Sequence, residues 1–304
     1  MPKSLSPITF ANAITSKEKL KEVFKDTKSI FEEQMKSDPV YAENIKKSKI
    51  FAFSEQAIGD CILPDLGEIK EEQHEECTII MTPYTTLNGL KILKDKNIID
   101  PNAKITVVNF ANAFKTGGGV QQGSIAQEEY LCRLSDLFAS LIRLKLQFYE
   151  YNHNHRNDNS NIFGFNRVIS SIGVTQIKND DFSLIEVSQR PKFNVISAAA
   201  PDLRKIKKYD EEKLFNVLVE RIKLIFTVAI SNQDDTIVLG AFGCGAFKVP
   251  PDISSRAFFH VLQKLGYKQK FKCIIFNIYA PDECGKKNLQ AFKEKFKDLA
   301  IQCQ

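Results

Sequence analysis

The chain has 304 residues, with 42 Lys+Arg against 37 Asp+Glu for a formal charge of +5, 43% hydrophobic residues and no Trp. That length buries a full core as one large unit or two smaller ones, and the composition excludes disorder, collagen-like repeats and a mini-protein scaffold. Seven Cys at irregular spacings, with no C-x-x-C pair, argue against a disulfide framework and a zinc module.

The first twenty residues hold no apolar signal-like run, and no later stretch approaches the roughly 20 apolar residues of a bilayer span. No membrane association and a reducing, cytoplasmic location are therefore expected. Residues 15–36 place Leu20, Val23, Phe24, Ile30 and Phe31 at helical spacing among charges, which predicts an amphipathic helix. A second, polar helical stretch follows around 38–48.

From Cys77 the texture changes. Short runs rich in β-branched residues at 78–81, 105–110, 168–174, 194–200, 236–242 and 273–280 read as buried strands. Helical patterns at 85–97, 126–149, 210–230, 252–265 and 286–299 lie between them. This alternation predicts an α/β protein, a three-layer α/β/α sandwich with a mixed central sheet, whose ligands bind at the carboxyl ends of the strands. Residues 1–76 read as an N-terminal helical extension and 77–304 as the domain that carries the chemistry. The segment 151–161 reads as a polar loop; its His153 and His155 have no carboxylate or Cys at ligand spacing, so no metal site is expected there. The lysine-dense segments 268–272 and 293–297 read as solvated helix faces, and no sequence-specific nucleic-acid binding is expected.

Residues 107–138 are the most informative stretch. Three consecutive glycines, Gly117, Gly118 and Gly119, remove every Cβ where the chain leaves a strand, which permits positive φ and lets backbone N–H groups approach a phosphate or diphosphate. The alternative is a plain turn. Gln127-Glu128-Glu129 then opens a helix, where carboxylates in the first turn offset the positive end of the dipole. Successive helical residues stand about 100° apart, so one acid can face a cleft while its neighbour braces the loop. A carboxyl group beside a sugar is the standard acid/base of glycosidic cleavage.

A second glycine loop, Gly240–Phe247, follows another strand. Gly243, Cys244, Gly245 and Ala246 let the backbone approach a diphosphate from the opposite side, and Phe247 offers a flat face to a base; alternatively both loop phenylalanines are core. No Walker, dinucleotide or GxSxG motif is present, and Cys244 has no His at a recognisable spacing. Glycines suited to phosphate and acids suited to a sugar together fit a nucleotide–sugar bond.

GGG-x7-QEE (Gly117 to Glu129), with NFANA (109–113) before it and YLCRLSDLF (130–138) after it, resembles the signature of the microbial-type poly(ADP-ribose) glycohydrolases, enzymes built on a macrodomain. The resemblance continues in VISAAAPDLR (195–204) and GAFGCGAF (240–247), and more faintly in CIIFNIYAPD (273–282) with Asn288 and Phe292, so it covers most of 77–298. It implies a macrodomain-like fold and an enzyme that releases ADP-ribose from poly(ADP-ribose) or ADP-ribosylated protein, without cofactor or metal. By the same resemblance, Gly117–Gly119 and Val120 line the diphosphate opposite Gly243–Phe247, Phe247 stacks near the adenine or its ribose, and Asn112 holds distal ribose hydroxyls. Glu129 is then the catalytic acid, Glu128 orients the ribose and Gln127 supports the loop.

Departures from the family pattern lie at the rim. Thr116 stands in place of the usual Pro, Val120-Gln121-Gln122 replaces a more apolar continuation, and Lys248-Val249-Pro250-Pro251 replaces a GN-type one. They leave the leaving side of the substrate open, as a polymer hydroxyl or a modified protein side chain such as arginine. Two alternatives stand beside the polymer enzyme: a mono-ADP-ribosyl-protein hydrolase using the same pocket with other acids, and a non-catalytic ADP-ribose-binding macrodomain, which has no need of the two acids.

Overall fold

The structure, a computed structural model, describes residues 15–53, 61–62, 64, 76–156 and 163–302. Residues 157–161 of the expected polar loop and Cys303 lie outside the described residues, and Tyr151–Asn154, at the start of that loop, form a helical turn, α6.

The chain opens with two helices, α1 (Lys17–Ser37) and α2 (Pro39–Lys46). Ser16 caps α1 by accepting from the Lys19 N–H, and Asp38 caps α2 by accepting from Val40 and Tyr41, short polar side chains meeting otherwise unpaired donors. An eight-stranded sheet follows: β1 (Lys49–Ala52), β2 (Thr78–Thr82), β3 (Ile105–Phe110), β4 (Arg167–Thr175), β5 (Lys192–Ala198), β6 (Thr236–Leu239), β7 (Cys273–Asn277) and β8 (Ala300–Gln302). Their order is β1-β4-β5-β3-β6-β7-β2-β8. Pairing is antiparallel for β1–β4 and β4–β5 and parallel from β5 to β8, so the sheet is mixed.

The central strands are buried on both faces, which explains their continuous apolar runs. Alternate residues feed two cores. Val108, Ile196, Ile237 and Ile274 pack under α7 (Glu211–Ser231), α8 (Pro251–Phe259) and α9 (Glu283–Lys295), whereas Val107, Val195, Val238 and Ile275 pack under α1–α3, α4 and α5. Here α3 is Thr86–Asp95, α4 is Gln127–Leu134 and α5 is Leu137–Arg143.

Three features differ from the sequence expectation. The helix expected over 126–149 is broken at Ser135, which is extended (φ −143°, ψ 174°). The backbone there pairs with the chain leaving β4: Ile177 and Lys178 donate to the Leu134 carbonyl at 2.7 and 3.1 Å, and Asp136 Oδ1 accepts from the Thr175 N–H at 2.9 Å. Periodicity cannot register that long-range pairing. A π-helical turn at Lys145–Glu150 leads into the helical turn at Tyr151–Asn154, and another at His260–Lys264 ends the stretch begun by α8. The third is the pair of short edge strands, β1 and β8. β1 comes from the stretch read as a helical extension, yet it is hydrogen-bonded into the same sheet through β4.

Candidate active site

The carboxyl ends of β3 and β5 lie side by side, with Phe110 opposite Ala198, and β6 flanks β3 on its other side. Both glycine loops leave from this end. The first, after β3, turns through two consecutive left-handed residues, Gly117 (φ 63°) and Gly118 (φ 57°). An L side chain is strained there, and it would also lack space: a Cβ on Gly118 would lie 2.4 Å from Glu129 Oε1 and 2.9 Å from Glu128 Oε2. On Gly117 it would meet the Phe138 ring at 2.7 Å, and on Gly119 it would meet Ser124 Oγ at 2.1 Å. The glycines therefore admit the acids as well as bending the chain.

The three side chains at the start of α4 clamp the loop to the strand. Gln127 Oε1 accepts from the Phe110 N–H at 2.8 Å while its Nε2 donates to the Val108 carbonyl at 2.8 Å and to Thr86 Oγ1 at 3.3 Å. Glu128 is 3% exposed; its Oε2 accepts from the Asn112 N–H at 2.8 Å and its Oε1 from Asn109 Nδ2 at 3.4 Å. Burial first, and the charge of Glu129 in addition, push the Glu128 carboxyl well above the ordinary carboxylate range. Glu129, 7% exposed, accepts from the Gly119 N–H through Oε1 at 2.6 Å. Its Oε2 is buried and has no hydrogen-bond partner among the described residues.

The remaining predicted groups make contacts within the protein. In the first loop the amides expected to face a ligand are bonded within the site, Gly118 to the Lys115 carbonyl, Gly119 to Glu129 and Val120 to the Gly117 carbonyl. Val120 is fully buried in the core, so it supports the loop from beneath. Asn112 Oδ1 accepts from the N–H groups of Phe114 and Lys115 at 2.8 and 2.9 Å, which folds the start of the loop. In the second loop Cys244 points into the core, and burial pushes its thiol up to about 12.

The second loop carries the unspent donors. Gly243 is left-handed (φ 80°), with no room for a Cβ between Val249 and Ala200. Beyond it, the amides of Gly245, Ala246 and Phe247 donate to no acceptor among the described residues, and Gly245 and Ala246 are exposed. Three consecutive free amides in a turn suit an anion. Phe247 is half-buried, with the Arg204 guanidinium 5.3 Å from its ring centroid.

Sequence reasoning assigned no role to Asn109 or Arg133. Asn109 joins Glu128 to Ser197 Oγ (3.0 Å), and its signal is an amide at the end of the apolar run ITVVNF. Arg133 lies one helical turn beyond Glu129, fully buried, with Nη1 donating to the Ser124 carbonyl at 2.6 Å. The two histidines of the polar segment do not meet the acids. His155 stacks on Tyr151 at 4.1 Å, and His153 lines a hollow of about 590 Å³ with Lys115, Gln121, Lys145 and Tyr149. Among the described residues no three His, Cys, Asp or Glu side chains group to hold a metal, and no helix is long and apolar enough to cross a membrane.

A mixed sheet between two helical layers, with two glycine loops and paired buried acids at the carboxyl ends of its strands, is a macrodomain-like architecture equipped for sugar chemistry. The solved structures agree with it. Poly(ADP-ribose) glycohydrolase from Thermomonospora curvata superposes with a TM-score of 0.77 at 23% identity, over 92% of this chain and 100% of that one. The Deinococcus radiodurans enzyme, solved in complex with ADP-ribose, superposes with a TM-score of 0.69 at 25% identity, over 86% of this chain and 98% of that one. No curated protein matches the chain. The family model for the catalytic domain of microbial-type PARG, or poly(ADP-ribose) glycohydrolase, matches residues 19–179, more than half of the chain and inclusive of the first glycine loop and both acids. The chain belongs to this family and is a glycohydrolase acting on ADP-ribose linkages.

Proposed function

We propose that the chain releases ADP-ribose from poly(ADP-ribose) and that Glu129 carries the proton transfers. The observation behind this assignment is the asymmetry of its carboxyl group. One oxygen is held by the Gly119 amide, and the other is buried with no partner among the described residues. A group fixed at one oxygen and free at the other presents that second oxygen in a defined direction to a reacting atom.

In this reading the diphosphate rests on the amides of Gly245–Phe247, and the ribose at the scissile bond lies over the first glycine loop. Protonated Glu129 gives its proton to the leaving oxygen as the bond to the anomeric carbon breaks and the ribose gains oxocarbenium character. The resulting carboxylate then takes a proton from the water that attacks that carbon. One water is consumed, ADP-ribose and a free hydroxyl are released, and Glu129 ends protonated as it began. Glu128 positions: its raised pKa favours a neutral carboxyl, which lowers repulsion with the charge that forms on Glu129 and presents a donor to a ribose hydroxyl. Gln127 and Asn109 hold the strand end against which both acids are set.

The test is a linkage panel. Wild-type protein and Glu129→Gln are assayed on poly(ADP-ribose) and on arginine-, serine- and glutamate-linked mono-ADP-ribosylated protein. Release from the polymer by the wild type, with turnover lowered about 10²–10⁴-fold in the variant, is expected for a general acid/base. Turnover confined to one protein linkage would assign the enzyme to side-chain removal instead.

A further inference from the structure

The lysine-dense segments that stand out in the sequence, 268–272 and 293–297, are not at the site. Residues 268–270 precede β7 and so lie at the amino end of the strands. A different cluster lies at the carboxyl end. Arg204, Lys205, Lys207 and Lys208 are all exposed in the loop after β5, and exposed Lys248 ends the second glycine loop. Three contacts join these two loops. The Leu203 N–H donates to the Phe247 carbonyl at 2.9 Å, the Arg204 guanidinium lies over the Phe247 ring, and a Cβ on Gly243 would touch the Ala200 methyl at 2.8 Å.

The charge of this rim is largely unspent. Arg204 is paired with Asp202 at 2.5 Å, but none of the four lysines is in an ion pair among the described residues. Four cations at the mouth of an anion-binding loop exceed what one bound diphosphate requires. A ligand that continues beyond the pocket, with charge repeated along its length, would use them.

We infer that the Lys205–Lys208 and Lys248 rim binds the phosphates of the poly(ADP-ribose) chain beyond the unit held in the pocket, so that the enzyme favours long polymer over short oligomer. The inference rests on the polymer activity proposed above. Flexible exposed lysines act mainly through long-range attraction, which raises the rate of encounter and its salt dependence while leaving the chemical step alone.

The test uses the full chain with Lys205→Glu, Lys207→Glu and Lys208→Glu combined, and a control carrying Lys268→Glu and Lys270→Glu at the opposite end of the sheet. Hydrolysis of long polymer and of the two-unit oligomer is followed over a range of salt. The rim variant is expected to lose about tenfold in kcat/KM on long polymer at low salt, with kcat unchanged and a smaller loss on the two-unit oligomer, which carries a single diphosphate beyond the pocket. Its dependence of log(kcat/KM) on log salt should flatten relative to wild type, by about 0.7 for each phosphate that is no longer neutralised. The control is expected to match wild type.

Equal effects on polymer and oligomer, no effect on either, or an equal loss in the control would overturn the inference. So would loss of single-stranded DNA binding with polymer kinetics intact, which would make the rim a nucleic-acid surface. Failure of the wild type to cleave either substrate would instead refute the activity on which the inference rests, and is read separately from the variants.

Discussion

At Gly118 two independent constraints coincide: a left-handed backbone and a carboxylate 2.4 Å from where a Cβ would stand. The conformational cost of an L residue there is about 1–2 kcal/mol, a modest part of the stability of a domain this size. The steric conflict falls on the acid. Gly118→Ala is therefore expected to remain folded while displacing Glu129 from the Gly119 amide, with a loss of turnover of at least about 10²-fold, since small misplacements of a reacting group are that costly. Circular dichroism and polymer turnover check this, and a variant with wild-type turnover would show that the loop has slack. The glycine triplet and both acids were legible in the sequence because the motif is contiguous. The division of labour between the loops was not. Which amides are free depends on bonds such as Gly119 to Glu129 and Val120 to Gly117, which one-dimensional spacing does not encode.

Helix α1 is joined directly to α4, which carries the two acids, and to α5 beyond it. Phe24 packs edge-on against Phe138 with centroids 5.0 Å apart, and Thr27 Oγ1 donates to the Arg133 carbonyl at 2.7 Å. Asp26 pairs with the buried Lys178. Gly123, just past the first glycine loop, lies so close to Lys17 that a Cβ would stand 2.5 Å from that residue's carbonyl oxygen. These contacts make α1 a buttress of the loop as well as a cover for the sheet. Phe24→Ala is expected to cost about 3–5 kcal/mol of stability, the usual range for a buried Phe, and to lower turnover at temperatures well below unfolding. Thermal unfolding and activity at a fixed low temperature separate the two effects, and lost stability with full activity would leave α1 only a cover. Its amphipathic pattern was plain in the sequence, whereas its partners were not. The six main strands were found from their continuous runs of apolar and β-branched residues, a local signal like the pattern of α1. β1 and β8, with four and three residues, are too short to show a period, and the break at Ser135 is set by the segment after β4.

Across the whole molecule, polar ties at the amino ends of the strands balance the site at the carboxyl ends. Asp234, 4% exposed, accepts from Thr106 Oγ1 at 2.6 Å and from Asn194 Nδ2 at 2.8 Å, linking the starts of β3 and β5 to the entry of β6. Burial raises its carboxyl to about 6 despite these donors. The folded state then holds a proton that the unfolded chain has already lost. This contribution to stability is complete below about pH 4 and is lost as pH rises to about 6, amounting to about 2–3 kcal/mol. Asp234→Asn removes the titration while keeping a hydrogen-bonding group, and is expected to flatten the dependence of stability on pH over that window. Urea unfolding at several pH values measures it; an unchanged profile would assign the titration elsewhere. The mild net charge of +5 proved a poor guide to ligand binding. The amides of Gly245–Phe247, without an acceptor among the described residues, and the lysines beside them stand at one end of the sheet, and the buried acids stand at the same end. The most direct measurement of the account pairs calorimetric binding of ADP-ribose with polymer turnover for Glu129→Gln. ADP-ribose affinity within severalfold of wild type, with turnover lowered about 10²–10⁴-fold, is the predicted result; turnover at the wild-type rate would remove Glu129 from the mechanism.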